Sequence, residues 1–514
     1  MLKRILVIMI ILLMTVSCSA KKEKDLTDDN YRVFYEIFVG SFSDSNKDGI
    51  GDLKGIINRL EYLNDGNINS TDSLGIQGIW LTPIFSSPSY HKYDVIDYYT
   101  IDPQFGTQED LDELIKRCHE KNILVILDLV INHTSSQHEW FKQFTTAHQN
   151  NDHSNQYYDY YVYSSKDERP YNRSFCDLNY TDEAYECNFS YDMPELNFDN
   201  ERVRQEVLDI ARYYLGKGVD GFRFDAAKYL YYGDNYSSID FWNWYTDQLK
   251  QIKSDIYLVG EVWSGEGEIN QYIRQMNCFN FSMSQPDGLI ASTAKSADIN
   301  GFTSYVVNYQ NTLKSINSEA MPISFISNHD MDRSAGYLNV SNGQAYLAAN
   351  LYLLSPGSPF IYYGEEIGMK GSRGGADTDA NRRLSMLWGD GDTIEDPLGS
   401  TYESKNQING TVTDQLQEKN SLLKHYAKLI TMRVKYPEIG RGTYLQLNLN
   451  QTNLGGFQIE YNGQFTYIIH NNSDQEISIA AGEFKELLDY AGFAEASFKN
   501  KELKIGPYTS VILK

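Results

Sequence analysis

Arg223 and Asp225 stand two residues apart in GVDGFRFDAAK (218–228), at the end of a run carrying Val219, Phe222 and Phe224. On a strand both side chains leave the same face. An ion pair at the end of a buried strand is rarely there for stability alone, because desolvating both charges is costly. Taken singly, Asp225 fits a helix N-cap equally well. Other apolar runs end in the same way: Asp128 lies in ILVILDLV (123–130) with Asn132 and His133 just after it, Glu261 lies in YLVGEVW (257–263), and His329 and Asp330 close ISFISNHD (323–330). Capping explains one or two of these acids, whereas four carboxylates with an arginine and two histidines, drawn from four runs, point to a site. Carboxyl groups held in unlike environments, one ionised and one protonated, can divide acid and base work between them.

A second pattern lies in SDSNKDGIGD (43–52), which sets Asp44, Asn46, Asp48 and Asp52 at two- and four-residue steps with the Ile50 carbonyl between. Alternating oxygen ligands around a glycine turn suit calcium. An EF-hand would need Glu twelve residues along, where Gly55 stands. Asp, Asn and Gly also build ordinary metal-free turns.

The elements that must position these groups alternate. The strand-like runs are 31–39, 76–83, 123–130, 218–228, 257–263, a weaker one at 279–281, then 323–330 and 359–366. Helix-length amphipathic stretches fall between them, from about Leu53, around 111–121, and at 201–216, 241–253 and 344–354. The run 123–130 is apolar on both faces, as parallel strands buried under helices are. Eight such units predict an α/β fold, a (β/α)8 barrel whose strand ends form one rim. No G-x-G-x-x-G follows a strand, which removes a dinucleotide fold. The expected layout is barrel at 31–132 and 201–437, a small inserted domain at 133–200 rich in Tyr, Asn, Asp and Ser, and an all-β sandwich at 438–514.

Bulk properties narrow the partners. A formal charge of −24 excludes a nucleic-acid partner, which needs a basic face. Forty tyrosines suit sugar, since each ring offers an apolar face and a polar edge. Lys3 and Arg4 precede an apolar run from Ile5 to Val16 and then Ser17-Cys18-Ser19, a signal peptide (1–18) too short to span a bilayer. Cys18 resembles a bacterial lipoprotein cleavage site, with Thr15 where that pattern prefers Leu; KKEKDLTDDN and its neighbours (19–30) then form a tether. The implied location is the cell envelope, exported and lipid-anchored, with a monomer expected. Cys176 and Cys187 are close enough to pair in an oxidising compartment, while Cys118 and Cys278 fit buried thiols.

DLVINH (128–133), GFRFDAAK (221–228), GEVW (260–263) and FISNHD (325–330), in this order, resemble the four consensus blocks of the α-amylase family of glycoside hydrolases, and MPELN (193–197) resembles a fifth. The resemblance implies Asp225 as nucleophile, Glu261 as general acid/base and Asp330 as stabiliser of the transition state. It implies sugar contacts from Asp128, His133, Arg223, Lys228, His329 and Arg383, with Tyr93 stacking beneath the ring. It also implies a calcium ion at Asp44, Asn46, Asp48, Ile50 and Asp52, and a second one using Asn132 with Asp192 or Asp177. Retention of configuration goes with carboxyls roughly 5–5.5 Å apart. Two departures bear on specificity: Ser385 replaces a proline in RRLSMLW (382–388), and Lys92 replaces glycine in Tyr90-His91-Lys92-Tyr93. The leading expectation is an endo-acting α-1,4-glucan hydrolase on starch and maltodextrins. The alternatives are a neopullulanase, cyclomaltodextrinase or glucan transferase on the same scaffold, or a non-catalytic glucan-binding lipoprotein.

Overall fold

The computed structural model describes residues 29–296 and 298–514. The signal peptide, Cys18 and the tether up to residue 28 lie outside the described residues. The tether was expected to run to residue 30, but the chain is already fastened at Asp29, whose carboxylate takes two hydrogen bonds of 2.7 Å from Arg441. Asn30 likewise accepts from Ser358 Oγ at 2.8 Å.

Eight parallel strands build the barrel: β1 (Phe34–Ile37), β2 (Gly78–Leu81), β3 (Leu124–Leu129), β4 (Gly221–Phe224), β5 (Tyr257–Gly260), β6 (Asn277–Cys278), β7 (Ile323–Ser324) and β8 (Ser358–Tyr362). They follow each other in chain order around the sheet, β1 pairs with β8, and a parallel bridge between Phe279 and Ile323 closes the ring. Large rings fill the interior, as a packed barrel demands: Phe34 stacks on Phe360 at 4.7 Å and meets Tyr257 at 4.4 Å.

Several strands are shorter than their apolar runs, and backbone partners explain why. Beyond Ser324 the chain leaves the ladder, since Ile326 O accepts from Gln285 N–H at 3.0 Å and His329 N–H donates to Glu36 at 3.2 Å. Those groups are satisfied without a neighbouring strand. The weak sixth strand falls earlier than expected, at 277–278, and 281–283 is a 3-10 turn. The helix expected from Phe241 starts at Asn235, where Asp234 accepts from Ser237 N–H at 3.1 Å as N-cap.

Between β3 and the helix Glu201–Gly216 lies a module with a three-stranded antiparallel sheet (163–165, 183–186, 175–177) and the helix Glu139–Gln149. A disulfide joins Cys176, in the strand 175–177, to Cys187, just past the end of the strand 183–186, while Cys118 and Cys278 are buried thiols. From Thr443 onward a five-stranded and a three-stranded antiparallel sheet form the C-terminal module. Among the described residues no helix is long and apolar enough to cross a membrane.

Candidate active site

The site forms because β3, β4, β5 and β7 end at one rim and each hands over a charged side chain. Arg223, the last polar residue of β4, is fully buried and gathers three acids. Its Nη1 donates to Asp128 at 2.8 Å and Asp225 at 2.5 Å, and its Nη2 lies 2.9 Å from Glu261. The guanidinium also lies 5.1 Å over the Trp80 ring. One cation with a fork of donors is the arrangement that keeps clustered buried acids bearable. Asp225 is therefore no helix cap. The next residue, Ala226, takes a left-handed φ of 48° and donates its N–H to Glu261 Oε2 at 3.0 Å.

Asp330 belongs to a second cation set. His329 Nε2 lies 3.0 Å from its Oδ2, and Arg383 Nη2 donates to its Oδ1 at 2.6 Å. His329 Nδ1 meets Glu36 at 2.6 Å, and Tyr93 hydroxyl bridges the two sets, reaching Asp128 at 2.8 Å and His329 Nε2 at 2.6 Å. His329 was expected to bond a sugar hydroxyl, but both its nitrogens are engaged by protein groups. The ring ties Asp330 and Tyr93 to Glu36. The Tyr93 and His329 rings are stacked 5.4 Å apart.

Charge is unevenly distributed among the acids. Burial pushes Glu261 up, with Arg223 opposing and Asp225 and Asp330 adding to the rise. Burial likewise lifts Asp128 to about 7 against the pull of Arg223. Asp330 goes the other way: burial raises it, but the charges of His329 and Arg383 outweigh that and hold it far below the ordinary carboxylate range. His329 rises to about 10, because Asp330 and Glu36 overcome the effect of burial. It is an imidazolium at neutral pH. His133 is instead held neutral by burial, at about 4, and its buried Nε2 has no hydrogen-bond partner among the described residues.

The remaining expected residues divide. Lys228 has Glu268 (3.6 Å) and the Tyr229 ring (5.0 Å) as partners, outside the carboxylate cluster. Arg383 also donates to Tyr90 hydroxyl at 2.9 Å, whereas Trp388 is packed away from the acids, its indole N–H on Phe42 O at 2.7 Å. Ser385 N–H donates to Asp396 at 2.9 Å, a bond that proline lacks the hydrogen to make.

In the loop after β1 the donor set, carboxylates with an amide and a main-chain carbonyl, has the hard oxygen chemistry that calcium takes. The loop also closes on its own N–H groups. Asp44 accepts from Asn46, Lys47 and Gly49 (3.0, 2.7 and 3.0 Å), and Asp48 accepts from Ile50 at 2.9 Å. Asp52 caps the helix Leu53–Asn58, taking Gly55 N–H at 2.7 Å, and its other oxygen takes Ser45 N–H at 2.9 Å. Among the described residues no three His, Cys, Asp or Glu side chains converge as metal ligands. For the expected second ion, Asn132 Oδ1 is buried without a hydrogen-bond partner among the described residues, Asp192 accepts from Ser136 Oγ at 3.1 Å, and Asp177 pairs with Arg169.

Residues 36–442 match the family model described as the alpha amylase catalytic domain. The chain belongs to the α-amylase family. It is thus an enzyme of the glycoside hydrolase and transferase kind. It is 37% identical over 492 residues to Alpha-amylase 3 of Dictyoglomus thermophilum, covering 94% of this chain and 93% of that one. It is 30% identical over 454 residues to a 4-alpha-glucanotransferase of Thermotoga neapolitana, covering 86% and 96%. Among solved structures, Eubacterium rectale Amy13B superposes with a TM-score of 0.87 at 36% identity, covering 95% of this chain and 96% of that one. Against this α-amylase-family frame, Glu36 and Phe189 are the members of the site missed in the sequence. Glu36 had a signal, a lone acid in the apolar run of β1. Phe189, whose ring lies 5.3 Å from His133, had none.

Proposed function

We propose that the protein is a retaining, endo-acting α-1,4-glucan hydrolase on starch and maltodextrins, with Asp225 as nucleophile, Glu261 as acid/base and Asp330 as transition-state stabiliser. The observation that carries this reading is the unequal treatment of the three acids. Glu261 is biased by burial toward its protonated form, and Asp330 is pinned as an anion by His329 and Arg383. Asp225 is left with one oxygen on Arg223.

In this reading Glu261 protonates the glycosidic oxygen while Asp225 Oδ attacks the anomeric carbon, giving a glycosyl-enzyme and a free reducing-side glucan. Glu261, now a carboxylate, takes a proton from water, which attacks the anomeric carbon from the face the leaving group vacated, opposite Asp225, and breaks the ester to restore the Asp225 carboxylate. Asp330 and Asp225 offset the positive charge that develops on the ring. The neutral His133, with its free Nε2, suits a sugar hydroxyl. The test is product sizing on starch and maltoheptaose: early loss of viscosity and α-configured products support the assignment, and full activity in Asp225→Asn refutes it. A second reading, glucan transfer, is favoured by the relative whose name is 4-alpha-glucanotransferase; products longer than the maltoheptaose supplied would establish it.

Calcium at Asp44, Asn46, Asp48, Ile50 and Asp52 belongs to the same proposal, supported by the oxygen donor set, and its contribution there is to brace the loop. Calorimetric titration should show binding by the wild type and none by Asp48→Ala; identical traces remove the site. Envelope anchoring through Cys18 is likewise proposed. Its check is whether metabolically added fatty acid labels the protein and is lost in Cys18→Ala.

A further inference from the structure

Lys92 stands in the loop after β2 with a φ of 65°, a left-handed conformation that glycine adopts freely and a lysine only at a cost. Its side chain does not escape to solvent. The ammonium lies 2.9 Å from Asp102 and donates to Gln104 at 2.7 Å, and both ends of the ion pair are about as buried as the core, 4% and 5% exposed. Burying a paired lysine on a strained backbone is doubly unfavourable unless the pair holds something.

What it holds is the segment carrying Tyr90, His91 and Tyr93. Asp102 also accepts Ser87 N–H at 3.1 Å and Gln104 N–H at 3.0 Å, so the ammonium is tied to both ends of the loop. Lys92 N–H donates to Ser89 Oγ at 3.2 Å, and the same hydroxyl lies 3.1 Å from His91 Nδ1. The left-handed turn at 92 brings Tyr93 N–H to His91 Nδ1 at 3.2 Å, and it stands the two rings 6.0 Å apart. Tyr93 then reaches Asp128 and His329, and Tyr90 reaches Arg383.

We infer that Lys92 is a positioning residue for the hydrolytic site. Its buried ammonium fixes the Tyr90–Tyr93 segment against the catalytic acids, a role that a glycine at this turn could not fill. The inference rests on the glucan-cleaving reading above. Lys92 touches no reacting atom, so its loss should lower kcat more than it raises KM, through misplacement of the Tyr93 platform.

The decisive variant is Lys92→Gly, which accepts the same φ and removes only the side chain. With maltoheptaose, well below the melting temperature of both proteins, kcat is expected to fall roughly 10- to 100-fold with KM changed less than about threefold. Added n-butylammonium should restore kcat saturably, and neutral 1-butanol should not. A Lys92→Gly enzyme with wild-type kcat overturns the inference, and so does equal rescue by the alcohol, which would make the side chain mere filling. If Lys92→Gly lacks a cooperative melt, Asp102→Asn replaces it. That variant keeps the shape and weakens the pair, and wild-type kcat there overturns the inference equally. A wild type inert on maltoheptaose would instead strike the functional reading.

Discussion

At the residue scale the site runs on three cations that divide four acids between them. Arg223 keeps Asp128, Asp225 and Glu261 together, and Asp330 answers to His329 and Arg383. In the proposed mechanism Glu261 acts as the protonated acid, and its pKa is raised, so the alkaline limb of kcat/KM should lie above the ordinary carboxylate value of 4.5. Asp330 contributes to that rise, so Asp330→Asn should move the limb to lower pH, besides lowering kcat about 10²- to 10³-fold. A pH–rate profile on maltoheptaose, whose sugar leaving group needs the proton, reads both, and an unmoved limb would uncouple the two acids. His329 makes a second prediction. Its folded pKa of about 10 against an ordinary 6.5 means its pairing stabilises the fold fully below pH 6.5, and the gain is lost as pH rises through 10. The stability gap between wild type and His329→Gln, from urea melts, should shrink across that window. Asp225, Glu261 and Asp330 were legible because each closes an apolar run. The engagement of both His329 nitrogens was not, because Glu36 comes from β1, 293 residues away.

At the scale of elements, the runs told which strands exist but not where they stop. Length was set by where backbone groups found other partners, as at Ile326 and His329. The helix Glu139–Gln149 shows the converse. Trp140, Phe141, Phe144 and Ala147 have helical spacing and are buried, but the polar composition around them reads as loop. Close approach of elements is equally invisible without coordinates. A Cβ on Gly221 would fall 1.8 Å from Tyr257 O, so β4 seats against β5 only with glycine there. Gly221→Ala should abolish the site by unseating Arg223 and Asp225, and soluble yield and the thermal melt should fall together. A variant with wild-type melting would mean the two strands can part without cost. In the inserted module the Cys176–Cys187 bridge closes a short loop, a constraint worth about 2–3 kcal/mol in the unfolded chain. Reduction should raise hydrogen exchange at 160–190 and spare the barrel strands.

At the scale of the molecule, the C-terminal module is joined to the barrel by core and not by a linker. Its central strands show alternation with two destinations. Ile468 and Ile512 belong to the same buried cluster as the barrel helices, while Tyr467, Ile469, Val511 and Leu513 face the smaller sheet. Polar ties reinforce the first face, for Asn350 Nδ2 donates to Ala491 O and Ser510 Oγ, both at 2.9 Å, and Gln310 Oε1 accepts Tyr444 N–H at 3.0 Å. Cutting the chain after Gly442 would therefore bare apolar surface on the helices Asn300–Ile316 and Gln344–Leu353 and leave the buried amide of Asn350 without its acceptors. The bared amide can turn to water, but the lost apolar contact costs about 25 cal/mol per Å². A domain stable by only about 5–15 kcal/mol has no room for that loss. The truncated chain should accumulate as insoluble protein, and the intact one should melt in a single calorimetric transition. Two separated transitions, with a soluble and active 29–442 fragment, would show that the barrel stands without its cap.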